Sequence, residues 1–217
     1  MSLDALQVQL EAIYQVDLAY RVDDFLITDA ELATRLDTSP NPRAAKEKLL
    51  VQQQGDDLNL SLYIDPDVIE ALGVGDAVTE LRDDNLGAFC TALEGVSHFL
   101  YLGWNATNDR SVTQLELELQ AEVDKYVSIL TLVERQGERC TREQLHQWLF
   151  AAVSFDPALD AVQLERYRNA NRFAARYCER LNTTYLRRDR RTEMYAELRS
   201  FYRETQAGKI RMAEQLH

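Results

Sequence analysis

The sequence predicts a mainly α protein: a helical bundle of about five helices preceded by a small α+β lobe. Three observations carry this expectation. From Asp84 onward apolar residues recur at three- and four-residue intervals. One segment, residues 49–64, instead alternates apolar and polar side chains. And 8 glycines and 4 prolines in 217 residues leave little room for linkers or low-complexity tracts.

Leu3, Leu6, Leu10 and Ile13 share one helical face, which predicts a helix over about residues 3–18. Phe25-Leu26-Ile27 is a short strand candidate. Thr28 followed by Glu31 has the spacing of a capping box, so a short helix is expected from about Asp29 to Leu36. Ser39-Pro40-Asn41-Pro42 breaks it, with Asn41 able to cap and Pro42 suited to a first helical position.

Leu58, Leu60, Leu62 and Ile64 alternate with Asn59, Ser61 and Tyr63, placing four aliphatic side chains on one strand face. Leu49-Leu50-Val51 precedes them across a Gly55-Asp56-Asp57 turn, predicting a β-hairpin. A lone hairpin is marginal in water, so it needs Phe25–Ile27 as a third strand or the first helix laid across its apolar face. Asp65-Pro66 then opens a short helix that Gly73 ends. Residues 1–80 are expected to form the lobe and 84–217 the bundle.

In the bundle, Leu86, Phe89, Leu93, Val96, Leu100 and Trp104 keep one helical register. Ser111 with Gln114 has capping-box spacing and opens a helix striped by Leu115, Leu119, Val123, Tyr126, Leu130 and Val133. Thr141 with Gln144 opens another, and two more are expected near residues 158–183 and 190–207. The short Asn105–Arg110 connection makes the first two of these helices antiparallel neighbours.

Between Asn85 and Asn108 the only formally charged residue is Glu94, so this helix is apolar nearly all round and belongs inside the bundle. Three glycines, Glu94, His98 and Asn105 weigh against a membrane span. Its polar side chains share one strip, on which Glu94 and His98 are an i,i+4 pair close enough to hydrogen-bond. A buried carboxylate beside a buried imidazole suits acid/base work or metal ligation. The next helix offers Glu116, Glu118 and Glu122, and Glu143 with His146 has the Glu-x-x-His spacing of di-metal carboxylate bundles. That spacing occurs once where such bundles need it twice, so Glu94, His98, Glu122, Glu143 and His146 stay weak metal candidates, and no cofactor is expected. No nucleophile elbow, phosphate-cradling glycine loop or His-Glu-x-x-His is present, which removes the usual signatures of an enzyme. Cys90, Cys140 and Cys178 are far apart and odd in number, with no Cys-x-x-Cys pair, which argues against a disulfide framework and against a zinc site and reads as buried apolar packing in a reducing compartment.

Charge is unevenly distributed. Residues 1–163 hold 11 Lys/Arg against 29 Asp/Glu, whereas residues 164–217 hold 13 against 7, within a net charge of −12. Arg168, Arg172, Arg176 and Arg180 are spaced by four, opposite Ala170, Ala174, Cys178 and Leu181. Arg187, Arg188, Arg190 and Arg191 follow in a turn. These eight arginines are the candidate anion- or partner-binding residues. The asymmetry favours a non-catalytic interaction or regulatory protein that engages an acidic protein, or a second copy of itself, through its Arg-rich C-terminal helices. On that reading, reversing Arg172 and Arg176 to Glu abolishes capture and leaves the fold intact. The alternative is a bundle that binds a ligand or metal, or acts as an enzyme, at Glu94 and His98. Binding of nucleic acid or phosphate through Arg168–Arg191 ranks third, because the acidic remainder repels a long polyanion. No membrane partner is expected, and the N-terminus lacks the basic and apolar regions of a secretory signal, so a cytoplasmic location is expected.

Overall fold

The computed structural model describes residues 3–39, 44–55, 57–73, 80–137 and 141–215. Cys140 and the expected cap at Asn41 and Pro42 lie outside them, as does Asp56 of the hairpin turn. The chain is mainly α with a small α+β lobe.

Helix α1 (Asp4–Tyr14) ends earlier than its periodicity suggests, because Gln15 turns left-handed at φ 50°. A 3₁₀ turn at Val22–Phe25 leads into β1 (Leu26–Ile27), so Phe25 belongs to the turn and not the strand. Helix α2 (Ala30–Leu36) is capped by Asp29 rather than Thr28: the Asp29 carboxylate accepts from both Glu31 N and Leu32 N. An anion that satisfies two orphan amides at a helix N-terminus outcompetes a hydroxyl one residue earlier. The hairpin forms as expected, with β2 (Glu47–Gln54) antiparallel to β3 (Asp57–Ile64) and Glu47 opposite Ile64. Gly55 supplies the φ of 62° that its turn requires. The third strand is present as well: β1 lies parallel to β3, with Leu26 opposite Leu62. Helix α3 (Pro66–Gly73) begins at the proline, with Asp65 accepting from Asp67 N at 2.9 Å.

Helix α4 (Leu86–Thr107) lies across the sheet in the place sequence offered to α1, and α1 packs on α4 from another side. Gly95 permits this. A Cβ there would sit 2.8 Å from Glu47 Cγ and 2.9 Å from Leu62 Cδ1, so only glycine lets the helix approach so closely. The far face of the sheet is covered too. Tyr63 and Leu50 pack with Ala33 of α2 in a second, small cluster. With neighbours on several sides, α4 is buried nearly all round, and among the described residues no helix is long and apolar enough to cross a membrane.

Helix α5 (Gln114–Gln136) runs back along α4. Its cap is Thr113 with Glu116, not Ser111 with Gln114. The same spacing occurs twice, and the carboxylate of Glu116 suits the positive helix end better than an amide. Helix α6 (Arg142–Phe150) opens with the expected Thr141–Gln144 box. Helix α7 (Ala161–Thr184) is capped by Asp160 with Gln163. The last expected helix is two, α8 (Arg191–Arg203) and α9 (Gln206–Glu214), separated by an extended Glu204 and capped anew by Thr205. One continuous core runs from Leu3 to Ala213, so the sheet's inner face and the helices share it.

Candidate functional site

The close seat of β2 on α4 brings Glu47 to His98. Glu47 Oε1 lies 3.5 Å from His98 Nδ1, and Glu118 Oε2 of α5 lies 3.8 Å from Nε2. Arg166 of α7 approaches Glu118 Oε1 at 3.7 Å. The expected Glu94–His98 hydrogen bond is replaced by a wider cluster. Glu94 Oε2 accepts from Lys125 Nζ at 3.1 Å, and Lys125 also donates to Glu122 Oε1 at 2.6 Å. Candidate ligand atoms of Glu94, His98 and Glu118 lie within 4.8 Å of one another. His98 is 7% exposed and its Nε2 has no hydrogen-bond partner; neither has Glu47 Oε1.

The electrostatics follow from burial and charge together. Burial pulls the imidazole of His98 down, but Glu47, Glu118 and Glu94 outweigh it and hold its pKa at about 9. Burial pushes Glu118 up to about 7 despite His98 and Arg166. Burial also raises Glu47, against the pull of His98. Cys90, beside Lys125, is pushed up to about 12 by burial, which keeps its thiol protonated near neutral pH.

The other metal candidates do not join this cluster. Glu122 belongs to Lys125, Glu143 is exposed and paired with Arg187 at 3.2 Å, and His146 Nε2 bonds Ala175 O at 2.8 Å. Its ring packs edge-on against Tyr126 and Phe150. The Glu-x-x-His spacing is therefore structural, and sequence reasoning missed Glu47 because it lies in a strand remote in sequence.

A second buried polar network was not expected. The Asp124 carboxylate accepts from Tyr14 Oη, from Ser97 Oγ at 2.6 Å and from Gln120 Nε2 at 2.8 Å. Lys209 Nζ donates to Gln120 Oε1 at 2.6 Å and Phe201 O at 2.8 Å, and packs on the rings of Tyr101, Phe201 and Tyr202. Burial lowers Lys209 to about 7 and raises Asp124 to about 6. The polar i,i+4 pair Gln120 and Asp124 inside an apolar stripe is the signal that marks it.

The arginine ladder does not act as one surface. Arg180 is buried and paired with Glu197. Arg187 pairs with Glu143, Arg190 with Glu193 and Arg191 with Glu134, all within the chain. Arg176 reaches Glu214 at 3.5 Å. Arg168, Arg172 and Arg188 are exposed and have no ion pair among the described residues. Further along, Arg199 donates to Ile13 O, and Arg203 donates to Tyr14 O and Gln15 O. Much of the C-terminal positive charge thus closes the fold.

A groove of about 420 Å³ lies between α1, α5 and α8. Ala5, Val8, Ala12 and Ile13 supply its aliphatic wall, and Arg135, Tyr195 and Arg199 border it. Val8 is 54% exposed, although it is a large apolar side chain on a helix face. Neither arginine is in an ion pair among the described residues. No protein-family model, curated protein or solved structure matches the chain significantly.

Proposed function

We propose that this chain is an interaction protein that receives an acidic, amphipathic segment of a partner protein in the groove between α1, α5 and α8. The observation that carries this reading is the pairing of an exposed aliphatic stripe, Ala5, Val8 and Ala12, with Arg135 and Arg199 at its border. Apolar anchors supply affinity in such a groove, and complementary charge sets orientation and on-rate. The partner remains an acidic one, and α8 remains an Arg-rich C-terminal helix. The face differs from the α7 ladder, in which Arg176 and Arg180 are paired inside the chain.

The exposed side chains of Arg168 and Arg172 support a second location, on α7. One experiment separates the two. Capture of a crosslinked partner is compared for the native chain, Val8→Asp, Arg135→Glu and the Arg172→Glu/Arg176→Glu double reversal. The groove reading expects the first two variants to lose at least tenfold in affinity and the double reversal to retain it. Loss with the double reversal alone moves the partner to α7. A partner whose capture none of the variants changes removes both readings.

A further inference from the structure

We propose that Glu94, Glu118 and the Nε2 atom of His98 form a binding site for a first-row divalent transition metal, with Glu47 orienting the imidazole from its other side. The site is independent of the groove.

The geometry is the first support. With candidate ligand atoms of the three residues within 4.8 Å of one another, some point lies no farther than about 2.8 Å from all three. Metal–oxygen and metal–nitrogen bonds of about 2.0–2.2 Å therefore need the ligand atoms to close in by at most about 0.6–0.8 Å. The glutamate side chains of Glu94 and Glu118 are the ones that would make this movement, since His98 sits on the buried centre of α4.

The second support is the unpartnered nitrogen. His98 Nε2 is buried, has no hydrogen-bond partner and faces Glu118 Oε2. Buried polar atoms usually find partners, and this one, set among carboxylates, is placed to take a ligand. On the opposite edge of the ring, Glu47 Oε1 stands 3.5 Å from Nδ1. When a metal takes Nε2 in place of the proton that the surrounding carboxylates otherwise hold on the imidazole, the remaining Nδ1–H faces Glu47, which is the carboxylate–histidine–metal arrangement. Glu47 is thus a positioning residue and not a ligand.

The surroundings hold the ligands in place. Lys125 fixes Glu94 through Oε2, and Arg166 approaches Glu118 on Oε1, leaving Oε2 toward the imidazole. One imidazole with two carboxylates suits Zn²⁺, Co²⁺, Mn²⁺ or Fe²⁺ better than Ca²⁺ or Mg²⁺, which favour all-oxygen sets. Three protein ligands also leave coordination positions for water.

The test uses the full chain with Co²⁺ and Zn²⁺ as probes. The native chain is expected to take up one Co²⁺ with visible d–d absorption, and Zn²⁺ is expected to displace it and raise the melting temperature. Glu118→Gln, nearly isosteric, is expected to lower affinity at least a hundredfold, and Glu47→Gln about ten- to a hundredfold. His146→Asn, at the other Glu-x-x-His histidine, is expected to leave uptake unchanged. Should His98→Asn fail to fold, Glu118→Gln still decides. Absence of stoichiometric Co²⁺ uptake by the native chain overturns the proposal, as does uptake that Glu118→Gln leaves unchanged.

Discussion

Gly95 shows how much one residue can set. Its missing side chain lets β2 and β3 rest on α4, and that approach alone brings Glu47 to His98. Gly95→Ala gains up to about 1 kcal/mol of helix propensity. It also forces Leu62 and Ile64, both fully buried, to move from an added methyl 2.9 and 3.1 Å away. Overpacking a core costs about 1–3 kcal/mol. The variant is expected to be less stable by about 1 kcal/mol in urea unfolding, and a gain in stability would show that the sheet can back away freely. From sequence, Gly95 was one of three glycines counted against a membrane span; nothing local distinguished it from Gly87, beside which an added Cβ meets open space.

At the scale of elements, the arginines of α8 act on a helix almost two hundred positions away. The last carbonyls of α1 have no intrahelical donors, and Arg199 and Arg203 supply them, with Arg203 Nη1 on Tyr14 O and Nη2 on Gln15 O, both at 3.0 Å. The guanidinium also sits over Trp104. Cations at a helix C-terminus gain from its dipole as well. Arg203→Ala is expected to cost about 1 kcal/mol in thermal or chemical unfolding, whereas Arg168→Ala, exposed on α7, should stay within about 0.5 kcal/mol. Equal effects would mean that the α1 contact contributes nothing beyond a surface charge. Elements themselves were largely legible. The hairpin, the third strand, α3 and the capped start of α6 follow from alternation, proline placement and capping spacing. Cap choices at α2 and α5 were less legible, because two candidate spacings lay side by side and only the backbone path selects one.

For the whole molecule, the network around Asp124 and Lys209 joins α1, α4, α5, α8 and α9 and makes stability depend on pH in a particular way. Lys209 titrates at about 7 when folded and near 10.5 when unfolded, so between these values the unfolded chain binds more protons and stability rises with pH. Asp124 titrates at about 6 when folded against an ordinary 3.8, so from about pH 4 to 6 the folded chain binds more protons and stability falls with rising pH. Both penalties are in force between about pH 6 and 7. Lys209→Met is therefore expected to abolish the rise above pH 7, read as the difference between variant and native unfolding free energies across pH. A constant difference from pH 7 to 10 would show that Lys209 is charged in the folded protein throughout that range.

What the sequence by itself determined is the mainly α class, the strand segment, the buried α4 and the polar strip that carries Glu94 and His98. These follow from periodicity and local spacing, which act over one or two turns. Only the tertiary structure decided where those groups find their partners. Glu47 and Glu118 reach His98 from a strand and a helix remote in sequence, Lys125 takes Glu94, and Glu197, Glu143 and Glu134 absorb arginines that sequence had assigned to an outside partner. The physical reason is range. Helix and strand patterns are written in neighbouring residues, whereas a charge is satisfied by whatever opposite charge the folded chain brings within a few ångströms.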